Sequence, residues 1–156
     1  MKATVVCCFR WRYRERFADV GLYENDPYPG IHDTLQQLHS SGVQLYVASS
    51  KPLVYVEQIL QRFDLMRFFS TAFGSELDGT RTDKSDLLAY ALQRSGEQAA
   101  HSTMIGDRKH DAIGAHNNGL QFIGVLYGYG GVEEFASVGA HRMVDAHHEL
   151  PAALDG

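Results

Sequence analysis

Two carboxylates four residues apart, Asp107 and Asp111, sit in the run Met104-Ile-Gly-Asp-Arg-Lys-His-Asp111, where an apolar stretch gives way to a helical pattern. A strand that ends in glycine can turn sharply, so Asp107 is expected at the carboxyl edge of a sheet with Asp111 one helical turn further on. Hard oxygen donors so placed could share one divalent ion. Mg2+ suits them, because it takes one or two protein carboxylates and completes its shell with water and substrate phosphate. Ser49 follows the apolar run Leu45-Tyr-Val-Ala48 and leads into Ser50-Lys51-Pro52, so its hydroxyl and the next backbone N–H groups could cradle phosphate oxygens. Lys84, at the start of a helical pattern, could bring an ammonium to the same anion.

The elements that must position these groups alternate. Short β-rich runs at 43–48, 68–73, 102–106, 121–126 and 141–144 are separated by apolar stripes at helical spacing: Ile31, Leu35 and Leu38; Val56, Ile59, Leu60 and Phe63; Leu87, Leu88, Ala91 and Leu92. Alternation of this kind predicts an α/β domain of parallel strands joined by crossover helices. Asp83 is a candidate helix cap, Pro52 suits a first helical turn, and Asn118-Gly119 stops the helix that begins near Asp111. The glycine-rich run Tyr127-Gly-Tyr-Gly-Gly131 reads as a mobile loop near the site.

The first 29 residues differ in kind. Phe9, Tyr13 and Phe17 recur every four positions among Arg10, Arg12, Arg14, Glu15 and Arg16, which favours an amphipathic helix to about Phe17. Thr4-Val-Val-Cys-Cys-Phe9 is also a run that a buried strand would use, and periodicity alone does not separate the two. Asn25-Asp-Pro-Tyr-Pro-Gly30 is a turn-rich hinge into the body of the chain.

At 156 residues with 44% hydrophobic content, one globular domain is expected. A net charge of −5 offers no general attraction to nucleic acid or to an anionic membrane. No apolar run approaches the roughly 20 residues that span a bilayer, and a soluble, cytoplasmic protein is the expectation. Cys7 and Cys8 are adjacent, cannot staple distant segments, and are read as buried thiols. His110, His116 and the pair His147-His148 lack ligand spacing and are assigned to surface or capping roles.

Taken in order, these motifs resemble the haloacid dehalogenase (HAD) superfamily, in particular its phosphoglycolate phosphatase-like members. The strand ending in Ser49 matches the family's second motif, Lys84 its third, and Gly106-Asp107 with Asp111 its fourth. The resemblance implies a three-layer Rossmann-like core over 30–156, with residues 1–29 as a remnant of a helical cap and hinge. It also implies a Mg2+-dependent phosphatase acting on a small phosphorylated metabolite, with Ser49 and Lys84 on phosphate and Asp107 and Asp111 on the metal. Family members open with a strand followed by Asp-x-Asp, whose first Asp attacks phosphorus and whose second is the general acid and base. No such segment is found here; Glu76-Leu-Asp-Gly-Thr80 mimics it but belongs to the loop before Lys84. The expectation is therefore a chain without the nucleophile and without turnover of its own, in the manner of a truncated enzyme. The alternative is a non-catalytic domain for phosphate or metal binding, or for assembly. Loss of the family's central strand would leave two open edges inside the sheet, to be closed by direct pairing of the neighbours, by residues 4–9 as a surrogate strand, or by another chain; self-association through such edges follows as an expectation.

Overall fold

Each predicted stripe of apolar residues becomes the buried face of a helix on a parallel sheet. The computed structural model describes residues 4–7 and 27–156. The strands are β1 (Thr4–Cys7), β2 (Gln44–Pro52), β3 (Thr71–Ser75), β4 (Ser102–Gly106), β5 (Gln121–Val125) and β6 (Met143–Val144). The helices are α1 (Ile31–Ser40), α2 (Leu53–Arg62), α3 (Lys84–Ser95), α4 (Lys109–Asn117), α5 (Val132–Ala136) and α6 (Leu150–Asp155). All described pairings are parallel, in the order β3-β2-β1-β4-β5-β6.

Strand alternation divides the core in two. Leu45 and Val47 of β2, Ile105 of β4 and Ile123 of β5 pack with Ile31, Leu35, Val56, Leu60 and Leu150 on the face covered by α1, α2 and α6. Tyr46 and Ala48, Met104 and Phe122 face the other way, against Leu87, Leu88 and Ala91 of α3, Ala112 and Ala115 of α4, and Phe135 of α5. The result is the expected three-layer α/β sandwich. Asp83 caps α3 by accepting the Asp86 N–H at 3.0 Å. Gly119, at φ 75°, ends the α4 turn where Asn118-Gly119 was expected to.

Three expectations are corrected. The opening helix does not extend through Thr4–Cys7: those residues form β1, whose Cα partners are Gln44 to Val47 on one side and Ser102 to Ile105 on the other. The surrogate-strand arrangement is thus the one observed, and along β1 the two interior edges are not open. The remainder of the expected helix and cap remnant, residues 8–26, lies outside the described residues. The strand expected at 68–73 begins only at Thr71, because Met66–Phe68 form a 3₁₀ turn that drops Phe68 into the core. β2 does not stop at Ala48 but continues to Pro52, with an irregularity in its pairing with β3 after Ser49. Gly74 permits this, since a Cβ there would lie 2.7 Å from the backbone of Leu53.

Candidate functional site

The carboxyl edge of the sheet gathers side chains from three crossings. β4 is buried along its whole length and ends at Gly106, which places Asp107 in the turn before α4 with 3% of its surface exposed. Asp111, in the first turn of α4 and also 3% exposed, folds back over that turn. Its Oδ2 accepts the N–H groups of Asp107 at 3.1 Å and Arg108 at 3.2 Å, two donors that a helix start leaves unpaired. Its Oδ1 lies 3.1 Å from the Lys84 ammonium. Lys84 comes from the first turn of α3, is 7% exposed, and also donates to the Ala48 carbonyl of β2 at 3.1 Å. A buried cation is tolerable only with such partners.

Glycines make this convergence sterically feasible. A Cβ on Gly106 would sit 2.5 Å from Asp111 Cγ, and one on Gly114 would sit 2.7 Å from Lys84 Cγ. The run 127–131 lies against the site, where it was expected. The Tyr129 N–H donates to Asp107 Oδ2 at 3.1 Å and the Gly130 N–H to the Asp107 carbonyl at 2.7 Å. A Cβ on Gly128 would stand 2.7 Å from Asp107 Oδ2, so glycine lets this loop lie against the carboxylate. Sequence reading placed the loop near the site but missed that its amides bind Asp107; the alternating glycines at 128 and 130 are the signal that was present.

Of the four residues expected to act together, Lys84, Asp107 and Asp111 form one hydrogen-bonded chain. Ser49 is adjacent to it, directly after Ala48 and 8% exposed, but its hydroxyl accepts the Lys51 N–H at 3.2 Å and so holds its own turn. Asp111 has both oxygens engaged by donors, which makes it a support for the turn. Among the described residues, no group of three His, Cys, Asp or Glu side chains is clustered to hold a metal.

Glu134 of α5, absent from the sequence expectations, steadies the turn from outside. Its Oε1 accepts both the Arg108 Nε–H and the Lys109 N–H, each at 2.8 Å. The hydrogen bond from Arg108, and then the Lys109 amide, hold the Glu134 carboxyl below its ordinary range. The same bond holds the Arg108 guanidinium more firmly protonated. No described helix is long and apolar enough to cross a membrane.

Known proteins are similar to this chain in sequence and in fold. The family model for haloacid dehalogenase-like hydrolases matches residues 3–125. A 5'-nucleotidase of Pseudomonas aeruginosa is 49% identical over 122 residues, covering 78% of this chain and 55% of that protein. A phosphoglycolate phosphatase of Pseudomonas fluorescens is 29% identical over 129 residues, covering 82% and 47%. The crystal structure of a predicted phosphatase from Clostridium acetobutylicum superposes with a TM-score of 0.84 at 41% identity, covering 87% of this chain and 63% of that one. The chain therefore spans about half the length of these curated relatives. With the fold and the family match over residues 3–125 in agreement, the chain belongs to the haloacid dehalogenase-like hydrolases.

Proposed function

We propose that this chain carries the phosphate- and metal-binding part of a Mg2+-dependent hydrolase of small phosphate monoesters, of the phosphoglycolate phosphatase and 5'-nucleotidase kind, and does not turn substrate over by itself. The observation that carries the reading is the Lys84 ammonium, buried at the sheet's carboxyl edge between the Ala48 carbonyl and Asp111, with Asp107 beside it. The donor set fits Mg2+: Asp107 offers a hard carboxylate oxygen, Asp111 fixes the turn behind it, and phosphate and water complete the shell. Bound there, the ion would neutralise charge on a phosphoryl group. Lys84 places positive charge at the same edge, and the Ser49 turn presents backbone N–H groups beside it.

Turnover needs a nucleophile, and the register of β1 leads into Cys8-Phe9-Arg10 with no carboxylate before Glu15. The phosphoryl-accepting Asp of the family has no counterpart at that point of this sequence. A non-catalytic role in binding phosphate or metal is the second reading, favoured by the engagement of both Asp111 oxygens. A cytoplasmic location and no nucleic-acid or membrane partner accompany either reading, given the net charge of −5.

Isothermal titration with Mg2+ and inorganic phosphate, run beside a p-nitrophenyl phosphate assay, tests the proposal. Mg2+-dependent phosphate binding that is lost in Asp107→Ala, with a flat hydrolysis trace, is the expected result. Hydrolysis that disappears in Asp107→Ala would overturn the claim of inactivity, and absence of binding would overturn the site.

A further inference from the structure

His147 belongs to a pair whose spacing suggests surface or capping roles, yet both of its ring nitrogens are engaged far along the chain. Nε2 lies 2.7 Å from the Pro29 carbonyl, and Nδ1 lies 2.7 Å from the Thr34 hydroxyl. A carbonyl can only accept, so Nε2 carries a hydrogen and donates it. Thr34 is buried on α1. The 3₁₀ turn His147–Glu149 that presents the ring is braced in its own right, since Glu149 Oε2 accepts the Asp145 and Ala146 N–H groups at 2.7 and 2.9 Å. Gly30 lets the chain come this close: its φ is 83°, and a Cβ there would stand 3.3 Å from His147 Cε1.

The ring's third neighbour belongs to the site. Tyr127 sits edge-on to His147, with ring centroids 6.0 Å apart, and edge-on to Tyr28 at 5.1 Å. The Tyr28 hydroxyl also donates to the Tyr127 carbonyl at 3.3 Å. Two and three residues further on, the Tyr129 and Gly130 N–H groups bind the side chain and the carbonyl of Asp107. The run 127–131 contains Gly128, Gly130 and Gly131, so its own sequence does little to fix its shape, and its order depends on what grips its two ends. One end continues into α5; the other is Tyr127, held by Tyr28 and His147. Pro27 and Pro29 fix φ on either side of Tyr28, so this turn shifts as a unit.

We infer that His147 is a positioning residue for Asp107: it clasps residues 27–30 to Tyr127 and thereby holds the loop whose amides set the carboxylate. A displacement of residues 27–30 then loosens the hold on Asp107. The clasp stands on geometry alone, whereas its effect on ligand affinity rests on the metal and phosphate reading above.

Hydrogen exchange of the parent, His147→Ala and His148→Ala, resolved amide by amide in NMR spectra, tests the clasp with no ligand present. In His147→Ala the Tyr129 and Gly130 amides should exchange about tenfold faster or more, while those of Met104 in β4 and Ile123 in β5 keep the parent's protection. His148 is the exposed neighbour in the same turn, and His148→Ala should leave all four amides unchanged. Thr34→Val keeps the side chain's size and removes only the hydroxyl; it should speed the same two amides about threefold, and it carries the test if His147→Ala does not fold. Unchanged exchange at Tyr129 and Gly130 would overturn the inference. So would acceleration of all four amides by a common factor, because His147 would then support the whole fold rather than the loop. Calorimetry with Mg2+ and inorganic phosphate should show binding weakened about tenfold in His147→Ala. Parent-like affinity with loosened amides would overturn the positioning role. Loosened amides in a chain whose parent binds neither ion would support the clasp and overturn the metal and phosphate reading instead.

Discussion

Replacing Asp111 with alanine removes three interactions at once. The Lys84 ammonium, 7% exposed, loses its carboxylate partner, and the N–H groups of Asp107 and Arg108 lose their acceptor. Truncating one member of a buried ion pair costs about 3–5 kcal/mol. Each abandoned N–H adds roughly 1–3 kcal/mol where water cannot reach it. The expected loss is at least ~3 kcal/mol, or about 6–12 °C in melting temperature for a chain of this size. Urea unfolding followed by circular dichroism measures it. Lys84→Met removes the charge while keeping an unbranched apolar stem, and Lys84→Met/Asp111→Ala should be destabilised by about 1 kcal/mol or more less than the sum of the single variants. A single-variant loss under ~1 kcal/mol, or strict additivity in the cycle, would refute the reasoning that this buried pair holds the turn.

Gly106→Ala should lower stability by about 1–3 kcal/mol, because its new methyl group must displace the Asp111 carboxylate from the amides and ammonium it holds; thermal unfolding checks this. Glu134 titrates below its ordinary value when folded, so its stabilising effect is fully present above about pH 4.5 and is lost as pH falls through the depressed value. The melting-temperature gap between the parent and Glu134→Gln should therefore narrow on acidification below that point, and a gap constant from pH 7 to pH 3 would contradict the assignment. Burial, reinforced by its hydrogen bond to Glu97 at 3.0 Å, pushes the Tyr46 hydroxyl up to about 12. Its contribution is present below the unfolded value near 10 and lost as pH rises toward 12. Absorbance titration of the phenolates should show a late step that Tyr46→Phe deletes.

The parts of the fold that were legible were those where local chemistry and long-range packing agree. β4 and α4 could be placed because an apolar run, a glycine and an acid follow one another over a few residues, each with its own local reason. β1 could not, because Thr4-Val-Val-Cys-Cys-Phe9 satisfies a strand and a helical stripe equally, and only pairing with Gln44 to Val47 and Ser102 to Ile105 decides between them. Phe68 and Phe69 drew β3 forward in the reading because aromatic residues favour strands, whereas they are buried from a 3₁₀ turn and the residue after it. At the site, the residue types and order identified Lys84, Asp107 and Asp111. That Asp111 spends its oxygens on Lys84 and two amides, and that Tyr129 and Gly130 clasp Asp107, depends on contacts across 22 to 27 positions of chain that spacing does not encode.

The Lys84 ammonium ties the middle of β2, at Ala48, to the start of α4, bridging sequence separations of 36 and 27 residues. No excised helix or hairpin could reproduce that knot, since its three strands of chain meet only after both crossovers are in place. Opening it locally would require parting buried layers, so amide exchange around Gly106 to Asp111 should proceed only through near-complete unfolding. The turn that carries Asp107 is accordingly set by the fold itself, before any ligand could meet it.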